Sequence, residues 1–336
     1  MRVGIIGYGK MGKIRAETVS GTGRGQVVKI FDAAESFENI GYPVARTAEE
    51  IINDPSIDTI FICTPNFLNK QLTIASLKAD KHVFCEKPPA FTATDVEEII
   101  QVEKAAAGKK LMYGFNHRHH GSIQHMKNLI SSRKYGNVLW IRGRYGKSVD
   151  KTFYDNWRSK RELAGGGILL DQGIHMLDLF LYLGGDFNQV SAFISNCYWE
   201  ADIEDNVFAI LKNTDNNMVA SLHSTMTQWR HIFSLEIFLE KGYMVLNGLR
   251  TSSQTYGDEV LSIAKNRTTA PAATWEDEER ITYEVDQSWR SEIEEFFDAI
   301  EDDRPVAIGT SEDALKAMQL VDSIYKSDPS YIYNSK

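Results

Sequence analysis

Residues 2–6, Arg-Val-Gly-Ile-Ile, form a short apolar run that passes directly into Gly7-Tyr8-Gly9-Lys10-Met11-Gly12. A helical pattern follows to Val19. A second apolar run at 26–31 is closed by Asp32, 20 residues beyond the last glycine. This is G-x-G-x-x-G with a strand before it, a helix after it and an acid further on, the context that gives the motif its meaning. The first glycine makes the turn, and the second lets the backbone approach a pyrophosphate seated on the helix N-terminus. Glycine turns also follow strands for purely structural reasons, but the strand, helix and distant acid together point to dinucleotide binding. Gly7, Gly9, Lys10, Met11 and Gly12 are therefore candidate cofactor contacts. Asp32 is placed to bond both hydroxyls of an adenosine ribose and to repel a 2′-phosphate. Ala33-Ala34 supply no arginine to offset that charge, so NAD is expected over NADP.

The alternation continues. Thr47-Ala48-Glu49-Glu50 reads as a capping box. Strands are expected at 58–63, 82–85 and 110–115. Helices are expected at 67–79 and, capped by Thr94-Asp95-Val96-Glu97, up to Ala107. We read this as six strands in a parallel, doubly wound α/β sheet. Ligands of such sheets lie beyond the carboxyl ends of the strands. Gly7, Asp32, Thr64, Lys87 and Asn116 all fall at such ends.

The pattern changes near residue 120. A helix at 122–132 precedes longer alternating runs at 138–147, 189–199, 206–212, 218–226 and 232–240, with shorter ones at 243–246 and 281–285. These predict a mostly antiparallel sheet. Amphipathic helices are expected at 291–301 and 311–326, and 252–279 reads as loop. The division expected is a dinucleotide-binding domain, 1–120, and a substrate-binding and oligomerisation domain, 121–336, with the helix at 311–326 packing back on the first. A chain of 336 residues suits two domains. Three cysteines without paired spacing make no disulfide framework. No leader or membrane-length apolar run is seen, and a cytoplasmic protein is expected. The net charge of -9 argues against a nucleic-acid partner.

The most unusual stretch is 165–178, Gly-Gly-Gly-Ile-Leu-Leu-Asp-Gln-Gly-Ile-His-Met-Leu-Asp. Its apolar residues fall on nearly every side, which marks a buried helix. Asp171, His175 and Asp178 stand at i, i+4 and i+7 and so share one face. Burying them is costly unless they satisfy one another or a ligand. One reading is a helix start with Asp171 as cap and His175 as a satisfied core residue. The other is an acid/base pair, with the glycine run clearing side chains where something approaches the backbone.

The fingerprint, Thr64-Pro65-Asn66, Glu86-Lys87-Pro88 and the 165–178 stretch together resemble the glucose–fructose oxidoreductase, inositol dehydrogenase and rhizopine-catabolism (Gfo/Idh/MocA) family over nearly the whole chain. The resemblance implies an N-terminal Rossmann domain and a C-terminal open-faced sheet. It implies hydride transfer between a nicotinamide and a secondary hydroxyl of a sugar, polyol or sugar nucleotide. It implies Lys87 and His175 as catalytic pair with Asp171 in the substrate site. Thr64, Pro65, Asn66, Glu86, Lys87 and Asn116 would be cofactor contacts, and the peptide before Pro88 is expected to be cis. It also suggests a homodimer or homotetramer built on the sheet face. Two departures stand out. The family often places a histidine three residues after the T-P-N motif, where this chain has Asn69. An arginine and an aromatic are common after the last Rossmann strand, where this chain has Asn116-His117-Arg118-His119-His120.

In the mechanism this implies, His175 accepts the hydroxyl proton and Lys87 stabilises charge on the reacting oxygen, with Lys87 the alternative carrier of the proton. Other readings are a catalytically silent dinucleotide-binding regulator, and a dehydrogenase of a non-sugar substrate resembling dihydrodiol dehydrogenase or biliverdin reductase. The histidine run, with His125 beyond it, lacks carboxylates or cysteines at metal-ligand spacing, so no metal is expected and the imidazoles are read as exposed. Arg142, Arg144, Lys147, Lys151, Arg158, Lys160 and Arg161 face only Asp150 and Asp155, with Tyr145, Phe153, Tyr154 and Trp157 interleaved. This island reads either as a solvated surface or as a loop meeting an anionic or nucleotide-linked carbohydrate. Trp157 and Arg158, with Arg118, are the candidate contacts.

Overall fold

The computed structural model describes residues 1–33 and 41–331. Ala34 lies outside them. The chain divides into two compact units, residues 1–116 with 288–318, and residues 117–287 with 319 onward.

In the first unit the elements alternate in the order β1 (Arg2–Ile6), α1 (Lys10–Gly21), β2 (Gln26–Phe31), α2 (Ala48–Ile52), β3 (Thr59–Ile62), α3 (Asn66–Lys78), β4 (His82–Cys85), α4 (Ala93–Ala105) and β5 (Leu111–Tyr113). The strands stand in the order β2-β1-β3-β4-β5, and every pairing is parallel. The sequence reading counted six strands although it named five runs; among the described residues this sheet has five strands, one on each named run, with a single parallel bridge from Ile30 to Val44 beside β2. All four residues of β3 are buried, as a parallel sheet covered on both faces requires. The capping box of α4 is formed by Thr92 and Asp95 rather than from Thr94 onward.

The second unit carries α5 (Gly121–Ser131), β6 (Val138–Ser148), α6 (Arg161–Ala164), α7 (Ile174–Gly184), β7 (Gln189–Ser195), β8 (Asn206–Lys212), β9 (Val219–Thr225), β10 (Thr227–Leu239), β11 (Gly242–Asn247), β12 (Glu259–Lys265) and β13 (Glu279–Tyr283). They form an eight-stranded sheet, β13-β12-β11-β10-β6-β9-β8-β7. Its pairings are antiparallel apart from β6 with β9. The stretch read as loop at 252–279 contains β12, which pairs in register with β11 and buries Leu261 and Ile263. Helix α7 packs closely on β6 at Gly143, where a Cβ would lie 2.5 Å from Met176 and 2.7 Å from Phe180. The opposite face is open, with Phe193 77%, Phe208 50% and Ile210 51% exposed.

Two helices follow, α8 (Ser288–Glu301) and α9 (Ser311–Ser327). Counted with the second domain from the sequence, α8 groups with the first unit, so that division differs from a cut at residue 120. The reason is packing: Ile293, Phe296 and Phe297 join Val3, Ile5, Phe61 and Phe84 in one buried cluster. Phe296 stands edge-on to both Phe61 and Phe84. Each such buried ring contributes about 1.5–3 kcal/mol over leaving it exposed. The division falls within α9, after Met318.

Candidate active site

In the first unit the glycines have separate jobs. Gly7 has φ +90°, and a Cβ there would lie 2.5 Å from the Cys63 carbonyl oxygen. A Cβ at Gly12 would lie 2.1 Å from the Gly7 carbonyl oxygen, so α1 closes tightly on the turn. A Cβ at Gly9 would meet nothing within 4 Å, leaving that side of the turn open to a ligand. Lys10 and Met11 open α1. The Tyr8 amide donates to Asp32 Oδ2 at 2.5 Å, which ties the acid to the turn. These residues fit a dinucleotide.

Thr64, Glu86, Lys87 and Asn116 follow the carboxyl ends of β3, β4 and β5, on the edge of the parallel sheet that also bears Gly7 and Asp32. Pro65 is the N-cap of α3 and Asn66 its first residue. The Lys87–Pro88 peptide is cis. The Glu86 carboxylate accepts from Arg15 Nε at 2.7 Å, and Arg15 also lies 2.7 Å from Glu292 of α8. Arg15 is fully buried; desolvation works against its charge, but Glu86 and Glu292 outweigh it and raise the guanidinium's pKa. Gly114 makes room for this pair, since a Cβ would come within 3.0 Å of both partners. Asn116 donates to Ser288 Oγ at 3.3 Å. Burial raises the Cys63 and Cys85 thiols, which removes them as nucleophiles.

In the second unit, 165–178 is not one regular helix. Leu169–Gly173 is a π-helical turn, and α-helix resumes at Ile174. The wider turn breaks the expected i, i+4 alignment of Asp171 with His175, and such turns recur at functional sites. Asp171 Oδ2 takes Lys147 Nζ at 3.0 Å, and Oδ1 lies 3.4 Å from Arg158 Nε. Arg158 in turn lies over the Trp157 ring, 4.3 Å from its centroid.

His175 is buried and stacked on His117, with ring centroids 3.9 Å apart and planes at 19°. His117 Nε2 is 3.0 Å from the Tyr145 hydroxyl. Tyr145 packs edge-on against Tyr256, whose hydroxyl accepts from Gln172 Nε2 at 2.6 Å. Burial raises both phenols, keeping them protonated. A chain of polar groups thus runs from His117 to the residue beside Asp171. His117, Gln172 and Tyr256 were not singled out from the sequence as site residues, and Tyr145 and Lys147 stood out there only as members of the basic island. Only Tyr145 and Lys147 carried a usable signal, their shared parity along one strand.

Several expectations change. The run His117, His119 and His120 is buried, not exposed. His120 Nδ1 is 2.9 Å from Glu259 Oε2, a pairing 139 residues apart that spacing could not reveal. Arg118, expected at the substrate, is buried with a two-pronged bond to Asp178, at 2.8 and 2.6 Å, and lies over Tyr182. It anchors α7. The glycine run admits protein, not a ligand. A Cβ at Gly166 would strike the Tyr325 hydroxyl, and one at Gly167 would lie 2.1 Å from the Glu204 carbonyl. The buried Glu204 carboxylate accepts from Gly167 N, Leu169 N, and the Tyr325 and Tyr331 hydroxyls.

The basic island does not converge either. Strand alternation turns Arg142 and Arg144 to the open sheet face, where Arg142 pairs with Glu236. Arg161 turns to Tyr331 and Asp202. Lys147 and Arg158 are the members that reach Asp171. Among the described residues, no group of three or more His, Cys, Asp or Glu is arranged to hold a metal ion, and no helix is long and apolar enough to cross a membrane.

Comparison with known proteins agrees with this architecture. The chain is 27% identical over 272 residues to the myo-inositol 2-dehydrogenase of Thermotoga maritima, covering 77% of this chain and 79% of that protein. It is 26% identical to the inositol 2-dehydrogenase of Rhizobium meliloti, covering 97% and 96%. A levoglucosan dehydrogenase solved with NADH and levoglucosan superposes with a TM-score of 0.86 at 23% identity, covering 99% of this chain and 98% of that one. That likeness establishes the fold. Residues 1–115 match the oxidoreductase family with an NAD-binding Rossmann fold, and residues 123–245 match the GFO/IDH/MocA C-terminal domain. With both halves matched in order, the chain belongs to the Gfo/Idh/MocA family of NAD-binding oxidoreductases.

Proposed function

We propose that this oxidoreductase interconverts a secondary hydroxyl and a ketone of a sugar or polyol, using NAD in preference to NADP. The observation that carries the reading is the Asp171 cluster, linked through Gln172, Tyr256 and Tyr145 to the His117–His175 stack. A carboxylate held by two cations offers acceptors and donors to neighbouring hydroxyls of one ligand. Relatives that act on inositol support a polyhydroxylated substrate.

Bound NAD supplies the hydride acceptor. His175 takes the proton from the reacting hydroxyl in oxidation and returns it in reduction. Lys87 hydrogen-bonds the reacting oxygen and stabilises its developing negative charge. Asp171 holds an adjacent hydroxyl, with Trp157 and Arg158 beside it, and an acidic group on a substrate meets Lys147 and Arg158. Asp32 holds the adenosine ribose, and Gly7 to Gly12, Thr64 to Asn66, Glu86 and Asn116 complete the cofactor contacts.

The enzyme works in the cytoplasm as a homodimer or homotetramer, with the open sheet face covered by a second copy. Phe193, Phe208 and Ile210 on that face support this, since so much exposed apolar surface is unusual in a monomer. The test is a panel of neutral polyols, free sugars, sugar phosphates and nucleotide sugars, assayed with NAD and NADP in both directions. Turnover of polyols or sugars with NAD supports the reading; none with any of them sinks it.

A further inference from the structure

Asn69 stands in the first turn of α3 and is fully buried. Its side chain joins two strand ends. Nδ2 donates to the Pro88 carbonyl at 2.8 Å and approaches the Glu86 carbonyl at 3.4 Å. Oδ1 faces the Thr64 hydroxyl at 3.0 Å. The orientation of this amide is fixed by chemistry: two carbonyl oxygens demand the NH2 end, so the oxygen end must face Thr64. An amide oxygen cannot donate. The Thr64 hydroxyl hydrogen is therefore spent on Asn69, and only the lone pairs of that hydroxyl remain for a ligand.

The two carbonyls that Asn69 holds flank Lys87. Because β3 and β4 are adjacent parallel strands, their carboxyl ends emerge side by side, and one short side chain spans both. We propose that Asn69 is a positioning residue of the oxidoreductase site. It presents Thr64 as an acceptor for an N–H or O–H of the cofactor, and it fixes the backbone on both sides of Lys87. This rests on the roles given to Thr64 and Lys87 under Proposed function.

The test uses the full-length protein, NADH for binding and, for turnover, the polyol of the panel oxidised fastest by the wild type, myo-inositol included. Asn69→Asp keeps the acceptor for Thr64 but sets an oxygen against the Pro88 and Glu86 carbonyls. It should leave the NADH Kd within about threefold and lower kcat by about tenfold or more. Thr64→Val leaves Asn69 on those carbonyls. It should weaken NADH roughly fivefold, and Thr64→Ser should restore binding. A wild-type kcat in Asn69→Asp, or wild-type NADH affinity in Thr64→Val, overturns the proposal. Thr64→Val decides it even if Asn69→Asp fails to fold. Lys87→Ala separates the two claims. If it retains normal turnover, the role of Lys87 fails; if it is inactive while Asn69→Asp is normal, the positioning role alone fails.

Discussion

The imidazole of His117 lies nearly flat on that of His175, with centroids 3.9 Å apart, and its Nε2 is held by the Tyr145 hydroxyl. A ring anchored at one edge and stacked on a second ring restricts how that second ring can turn. If His175 moves the proton, its orientation matters as much as its basicity. His117→Ala should lower kcat by about tenfold, whereas His117→Phe, which keeps a flat ring, should stay within about threefold of wild type. Equal losses in the two variants would show that the stack has no such role.

Arg118 and Asp178 form a buried two-pronged ion pair between the start of the second unit and α7. Asp178→Ala strands the guanidinium without its carboxylate and should cost about 3–5 kcal/mol in denaturant unfolding. Asp178→Asn, which keeps an acceptor, should cost less. A cost under 1 kcal/mol for Asp178→Ala would contradict the anchoring role.

His82 supplies the acid-stability prediction. Burial, helped by Lys109 and Lys110, lowers its imidazole from 6.5 to about 4, and its Nδ1 accepts from the Lys110 amide. In the unfolded chain it takes up a proton near pH 6.5 that the folded chain refuses, so the unfolded state binds more protons in this window. The contribution is complete above about pH 6.5 and is lost as the pH falls toward about 4. Urea midpoints measured across this range should fall less steeply in His82→Asn, which keeps an acceptor for Lys110 but has no charge to gain. Unchanged slopes would remove His82 from the account.

The open sheet face gives an assembly prediction. Phe193→Glu with Ile210→Glu places two charges among exposed apolar side chains and should convert an oligomer to a 38.0 kDa monomer with the fold intact. Light scattering at micromolar concentration reads this directly. A wild type that is already monomeric, or a double variant that remains associated, contradicts the proposed interface.

What could be read from the sequence was local. The turn from Gly7 to Gly12 and the acid at Asp32 carry their geometry in spacing alone, and they stand where expected. So does the parallel alternation up to β5, because the buried centres of these strands are short apolar runs such as Ile60–Ile62 and Val83–Cys85. What failed depends on partners far along the chain. Glu204 lies 37 residues from Gly167, whose amide it accepts, so the glycine run looked like room for a ligand. Arg118 looked like an anion contact because Asp178 lies 60 residues away. The basic island looked like a patch because composition ignores that alternate residues of β6 face opposite ways. Strand β12 went unread because its buried alternate positions begin with a carboxylate, Glu259, whose partner His120 lies 139 residues away.

The central claim is that Lys87 and His175 carry out hydride-transfer chemistry on a carbohydrate while the glycine turn binds the cofactor independently of them. The most direct measurement is steady-state turnover of Lys87→Ala and His175→Ala beside NADH titration of the same samples. Each variant should lose about a hundredfold or more in kcat with an NADH Kd close to wild type. Near-normal turnover in either variant would contradict the role assigned to that residue.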